Sequence, residues 1–286
     1  MSKNPKMVEA GKKAWATRRK NKGKKKAPRI SGTREWSSST VNCVKGCEHD
    51  CRYCYARARE VTRFKRMKEE EWPKQQVNLK AVARKQKKVK GVVMFPSSHD
   101  ITPSSLDACM TVLKKLLIVG NRVLIVSKPH LSCIKTMCES FMNYRDQILF
   151  RFTIGADDSA LLKYWDRNAP SFEERLDCLA LAKKVGYKTS VSVEPMLDSP
   201  RILDLVKKLE PHTTDTIWIG MMNNIEKRVP IKTEEDRRQV DRIIKGQTHE
   251  RVREIYEALK DHPLIMWKES FKMVLGLAEE QEKWKE

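Results

Sequence analysis

The sequence predicts an α/β fold: a partial (β/α)6 barrel of parallel strands, with a disordered basic N-terminal tail and C-terminal helices. Three observations predict it. Short β-branched apolar runs recur from residue 36 onward. Each is followed by a stretch whose apolar residues keep helical spacing, the alternation expected of right-handed βαβ units. The runs VLIV and IWIG are continuously apolar, as strands buried on both faces of a parallel sheet are.

In chain order, residues 1–35 are polar, basic and interrupted by Pro5, Gly11, Gly23, Pro28 and Gly32. They read as a tail with one short helix around residues 8–19. Strands are expected at 39–43, 92–96, 122–127, 148–154, 188–194 and 216–220. Helices are expected between them at 52–72, 104–119, 131–144, 171–185 and 201–209. Beyond Gly220 the pattern changes to a charged helix near 233–260, a short apolar segment at 264–267 and a final helix. The expected division is a tail (1–35), a barrel (36–225) and a helical extension packed on it (226–286).

Charge and cysteine usage narrow the class. Across 286 residues, 58 Lys and Arg face 37 Asp and Glu, a formal net charge of +21. Residues 1–29 hold twelve basic residues against the single acid Glu9, about half of that excess. A segment so charged cannot fold alone and is drawn to polyanions, because each neutralised phosphate releases counterions. No apolar run approaches the ~20 residues that span a bilayer, and no secretory core follows the basic start. A cytoplasmic protein without membrane contact is therefore expected, its eight cysteines reduced, so that a tight cysteine group reads as a metal site before a disulfide framework.

In parallel sheets reactive groups collect on the loops at the strands' carboxyl ends. Here those loops carry residues 43–54, Ser97-Ser98-His99-Asp100, Ser127-Lys128-Pro129, Thr153 with Asp157-Asp158, Glu194-Pro195 and Asn223-Asn224. The first places Cys47, Cys51 and Cys54 in C-x3-C-x2-C spacing, with Cys43 four residues upstream. Thiolates this close need a positive centre to hold their charge. Four sulfurs would also complete a zinc tetrahedron, although zinc ligands usually come as two separated knuckles.

With Tyr53 just before the last cysteine, this loop resembles the signature of the radical S-adenosylmethionine superfamily. The resemblance implies that Cys47, Cys51 and Cys54 hold three irons of a [4Fe-4S] cluster, that the fourth iron binds S-adenosylmethionine, and that Cys43 is a neighbour. The segments GCEHDCRYCYA, APSFEERL (169–176) and VEP (193–195) are similar to the branch of spore photoproduct lyase and its DNA-repair-photolyase-like relatives. IMWKES (265–270) is similar to a related phage-borne family of unknown function. The likeness covers roughly residues 36–225.

Several site residues follow from the resemblance. Ser97, Ser98 and Asp100 become acceptors for the methionine amino group, and Lys128 a partner for its carboxylate. Thr153 matches a serine that touches the ribose, and Asp157 or Asp158 offers a contact to the ribose hydroxyls. On the bland reading, Asp100 and the Asp157/Asp158 pair cap helices and Lys128 is a surface lysine. Glu194 closes a buried strand before Pro195, so its carboxylate is expected in the mouth. His99 is a candidate for proton transfer or substrate contact, and His49 a ligand or a backbone donor. Cys109, Cys133, Cys138 and Cys178 read as small core residues. The serines stand where spore photoproduct lyases carry a hydrogen-donating cysteine, which puts that particular reaction in question.

Two functions compete. The first is a radical enzyme, a lyase or a modification enzyme, fed by a flavodoxin- or ferredoxin-like electron donor and acting on nucleic acid that the basic tail attracts. The second is a nucleic-acid-binding module with a structural metal and no turnover. A binding finger needs no core of this size with polar groups at every strand end.

Overall fold

In the computed structural model the described residues are 30–278. The tail through residue 29, with its expected short helix, lies outside them. Among the described residues nine strands occur: β1 (Ser39–Thr40), β2 (Val44–Lys45), β3 (Gln76–Val77), β4 (Val92–Phe95), β5 (Arg122–Ser127), β6 (Ile148–Thr153), β7 (Lys188–Val193), β8 (Ile217–Ile219) and β9 (Ile265–Trp267). Seven of them form one sheet in the order β1-β4-β5-β6-β7-β8-β9, and every pairing in it is parallel. β2 and β3 form a separate antiparallel pair beside the cysteine loop.

The helices are α1 (Tyr55–Arg57, continuing as a π-turn over Ala58–Arg63), α2 (Leu79–Ala83), α3 (Leu106–Ile118), α4 (Leu131–Ser140) and α5 (Ser159–Trp165). They continue with α6 (Phe172–Lys184), α7 (Ile202–Leu209), α8 (Ile225–Arg228), α9 (Glu234–Gly246), α10 (His249–Leu259) and α11 (Glu269–Leu275). Their starts follow side-chain chemistry: Asn78, Asp158, Ser171, Thr233 and Thr248 each accept from a main-chain N–H of the first turn.

The six expected strands are present, and three other features differ from expectation. The segment at 264–267 supplies a seventh strand, β9, with Ile265 opposite Ile217 and Trp267 opposite Ile219. The helix expected over 52–72 ends early, because Lys65 takes φ +50°, a left-handed value that no helix continues. The single charged helix near 233–260 is two helices. Gln247 at the break binds Met222 through both ends of its amide, and Thr248 caps the second helix.

Strand side chains alternate between two cores. On the outer face Val93, Phe95, Val123, Ile125, Phe150, Phe152, Val191 and Val193 pack beneath the helices. On the inner face Val92, Met94, Leu124, Leu149 and Trp218 surround Trp36, which enters just ahead of β1. Both faces are buried, as the continuous apolar runs require. The edge strands β1 and β9 are linked on this inner side by side chains: the Lys268 ammonium sits 3.9 Å from the centroid of the Trp36 ring and pairs with Glu35.

Candidate active site

The cysteine loop begins with a glycine for which no other residue will do. Gly46 has φ +78°, and a Cβ there would meet the Trp72 carbonyl oxygen at 2.5 Å. That close approach lets the Cys47 N–H donate to the same carbonyl, fastening the loop to the 69–72 turn. From the other side the Arg52 N–H donates to the Trp165 carbonyl, and Asn168 donates to the carbonyls of His49 and Glu48. Cys54 ends the loop as the N-cap of α1, its sulfur accepting from the Arg57 N–H. Burial pushes the thiols of Cys47, Cys51 and Cys54 up, so charged sulfur here requires a cationic centre.

Asp100 joins this loop to the sheet. Its Oδ1 accepts from the Lys128 N–H (2.6 Å) and the Ser127 hydroxyl (2.8 Å) at the end of β5. Its Oδ2 lies 3.0 Å from His49 Nδ1, 3.7 Å from the Cys47 sulfur and 3.9 Å from Lys128 Nζ. Burial opposes the charge of Asp100, but Lys128 and His49 outweigh it and hold the carboxyl well below its usual range. Burial likewise opposes the Lys128 ammonium, and the field of Cys51, Tyr53, Asp100 and Asp166 outweighs it. Lys128 is 8% exposed and stands 5.6 Å from the centroid of the Tyr53 ring, so it belongs to the cysteine loop's surroundings and not to the open surface.

A second network, not read from the sequence, supports the same loop. The Tyr53 hydroxyl donates to one oxygen of Asp166, while Arg175 donates to the other at 2.8 Å and to the carbonyls of Pro170 and Thr153. Arg175 and Asp166 are both buried. Arg175 lies inside the APSFEERL run, so the residue was visible in the sequence and its partner was not.

The remaining candidates divide. An amide oxygen of Asn42 accepts from the N–H groups of Ser97 and Ser98, and its NH2 donates to the Ser97 hydroxyl, so this turn is held by a residue the sequence did not single out. His99 uses both ring nitrogens on main chain: Nε2 accepts from the Cys43 N–H at 3.2 Å and Nδ1 lies 2.9 Å from the Asp100 carbonyl. At 7% exposure it braces two loops. Asp157 pairs with Arg201 and Lys208, from either end of α7, and Asp158 caps α5. Thr153 ends β6, half-buried.

Glu194 ends a buried strand at the carboxyl edge, and its carboxylate lies 3.4 Å from Lys268 Nζ, within the inner-face network. Burial pushes its carboxyl up and Lys268 opposes that shift. Gly220 keeps the space open, since a Cβ there would meet the side chains of both Lys268 and Glu194. Cys43 faces away from the other three loop cysteines, its sulfur 3.8 Å from that of Cys109 in the outer core. His49 is buried, with its Nε2 2.9 Å from His130 Nε2.

The model of one family, the Radical SAM superfamily, matches residues 41–199, more than half of the chain. The chain belongs to that superfamily. Radical SAM proteins use a [4Fe-4S] cluster and S-adenosylmethionine. Its fold is shared with solved radical SAM structures. A spore photoproduct lyase variant with dinucleoside spore photoproduct has 14% sequence identity and a TM-score of 0.51, covering 80% of this chain and 75% of that one. Streptococcus suis SuiB bound to precursor peptide SuiA has 12% identity and a TM-score of 0.50, covering 83% and 50%. The uncharacterized protein ORF301 of Acidianus two-tailed virus is 25% identical over 179 residues, 59% of either chain. The radical SAM chain thus spans about three-fifths of the length of this curated relative. Among the described residues no helix is long and apolar enough to cross a membrane.

Proposed function

We propose that Cys47, Cys51 and Cys54 hold the [4Fe-4S] cluster and that the enzyme acts on a nucleic-acid substrate. The observation that carries the first part is the donor set: three thiols at the carboxyl edge of the sheet, Cys47 and Cys51 buried and Cys54 half-buried, near the buried Lys128. These residues fit the group, because burial alone would keep them neutral and a cluster's iron supplies the missing positive charge. Cys43 stays outside, occupied with Cys109. A cluster held there would supply the one electron for reductive cleavage of S-adenosylmethionine to methionine and a 5′-deoxyadenosyl radical.

The chain's own residues bind and orient. Lys128 holds the methionine carboxylate, and the turn at 97–100 presents carbonyl and hydroxyl oxygens to the amino group. The loop staples exclude water from the sulfurs. For the substrate, support comes from the net charge of +21, the basic run at 1–29 and the dinucleoside in the spore photoproduct lyase structure. An external electron donor of the flavodoxin or ferredoxin type completes the reaction. The family favours this reading over a binding module without turnover.

Anaerobic reconstitution tests this. We expect close to four iron and four sulfide per chain, abolished on replacing Cys47, Cys51 or Cys54 with Ala and largely retained in Cys43→Ala. Adding oligonucleotide should raise 5′-deoxyadenosine formation above the substrate-free rate. Zinc in place of iron would overturn the cluster reading, and no response to any nucleic acid would overturn the substrate reading.

A further inference from the structure

The approach to β4 carries a concentration of charge that the catalytic site does not use. Seven cations and no acid lie between Glu71 and Asp100. Five of them, Arg84, Lys85, Lys87, Lys88 and Lys90, fall within seven residues, and all five are exposed. No carboxylate among the described residues pairs with any of them, although Arg and Lys elsewhere on this surface find partners at Glu60, Asp157, Glu235, Glu254 and Glu257. Five like charges this close repel one another in the folded state, and nothing among the described residues offsets the cost.

The segment is nonetheless held in place. After α2 ends at Ala83 the chain is irregular, and Asn121, fully buried, clasps it from the turn before β5. The Asn121 side chain donates to the Lys87 carbonyl at 3.0 Å and accepts from the Val89 N–H at 2.8 Å. Val82 and Val89 pack onto the outer core, so the flanking apolar side chains turn inward and the cationic ones outward. Because the segment feeds directly into β4, it lies at the amino edge of the sheet, opposite the cysteine loop.

We propose that Arg84–Lys90 is a nucleic-acid-binding surface that grips phosphates without reading sequence, separate from the catalytic mouth. Cations fixed on main chain, unpaired and exposed, are what a phosphate backbone requires, since the affinity comes from counterion release. An anionic bilayer would select a different pattern, with apolar side chains exposed beside the cations for insertion, and within 84–90 the one large apolar residue, Val89, faces the core. Binding at this face does not depend on whether the catalytic mouth acts on nucleic acid, and its test reads binding alone.

The test uses the full chain with Lys85, Lys87, Lys88 and Lys90 all replaced by Gln. Binding of a fluorescent oligothymidylate is followed by anisotropy across a salt series. The slope of log K against log salt should become shallower by about 0.7 for each phosphate no longer neutralised, about 2 to 3 in total, with affinity at least tenfold weaker at low salt. Reconstituted iron content and nucleic-acid-free 5′-deoxyadenosine formation should match the parent protein. An unchanged slope would overturn the proposal. So would weakened binding to phosphatidylserine vesicles with oligonucleotide binding intact, the outcome that would follow if Leu79, 75% exposed at the start of α2, inserted into lipid beside these cations.

Discussion

Lys128 is the residue on which cofactor affinity should turn. It is a buried cation among anions, and removing it deletes a hydrogen bond to a charged group, worth about 1.5–3 kcal/mol. Isothermal titration of reconstituted Lys128→Ala should therefore show S-adenosylmethionine binding weakened by roughly one to two orders of magnitude, with iron content intact. Unchanged affinity would assign Lys128 to charge compensation of Asp100 and Cys51 alone. Asp166 sets a different expectation. Asp166→Asn leaves Arg175 fully buried with its counter-charge gone and only one acceptor oxygen where Tyr53 and Arg175 each had one. Breaking a buried pair from one side costs about 3–5 kcal/mol, so urea unfolding should shift strongly toward lower midpoint. A shift under about 1 kcal/mol would mean that water reaches the pair.

At the level of elements, α9 is fastened to the cysteine loop by one carboxylate. Asp236 accepts from Arg52 at 2.9 Å and from the Tyr164 hydroxyl at 2.7 Å, and it completes the capping box of α9 with Thr233. The Tyr164 hydrogen bond, followed by the main-chain donors of Lys232 and Thr233, lowers its carboxyl to about 2 against the opposition of burial. A depressed carboxylate pKa contributes stability that is fully present above the unfolded value near 3.8 and is lost as pH falls through about 2. The parent protein should accordingly lose stability between about pH 4 and pH 2 more steeply than Asp236→Asn, as followed by circular dichroism on acid titration. Parallel acid curves for the two proteins would remove Asp236 from this role.

Element length also decides what is legible before folding. The strands at 122–127, 148–153 and 188–193 were legible because each is six residues long and rich in β-branched or aromatic side chains. β9 was not, since three residues carry no period and only the pairing with β8 makes them a strand. The cysteine spacing is local and survives in one dimension. Asp166, by contrast, is 113 residues from Tyr53, and no pattern near either residue announces the other. His99 and Glu194 stand at strand ends, which fix where a residue sits and not where its side chain turns. For both, the turn is decided by distant partners, Cys43 for one and Lys268 for the other.

Taken as a whole molecule, the interior of the sheet is shared between its two edges. Trp36 and Glu35 precede the first strand of the sheet, Lys268 follows the last, and the ammonium sits between the indole and two carboxylates. That arrangement has a consequence in time. A ribosome delivers the loop of Cys47, Cys51 and Cys54 early and Lys268 late. At synthesis rates of about 5–20 residues per second, roughly ten to forty seconds pass between them. Throughout that interval the sulfurs exist in a chain whose sheet lacks its final strand and whose inner face lacks its cation. The nascent thiols are then more open to oxygen and stray metal than in the folded chain, where Cys47 and Cys51 are buried.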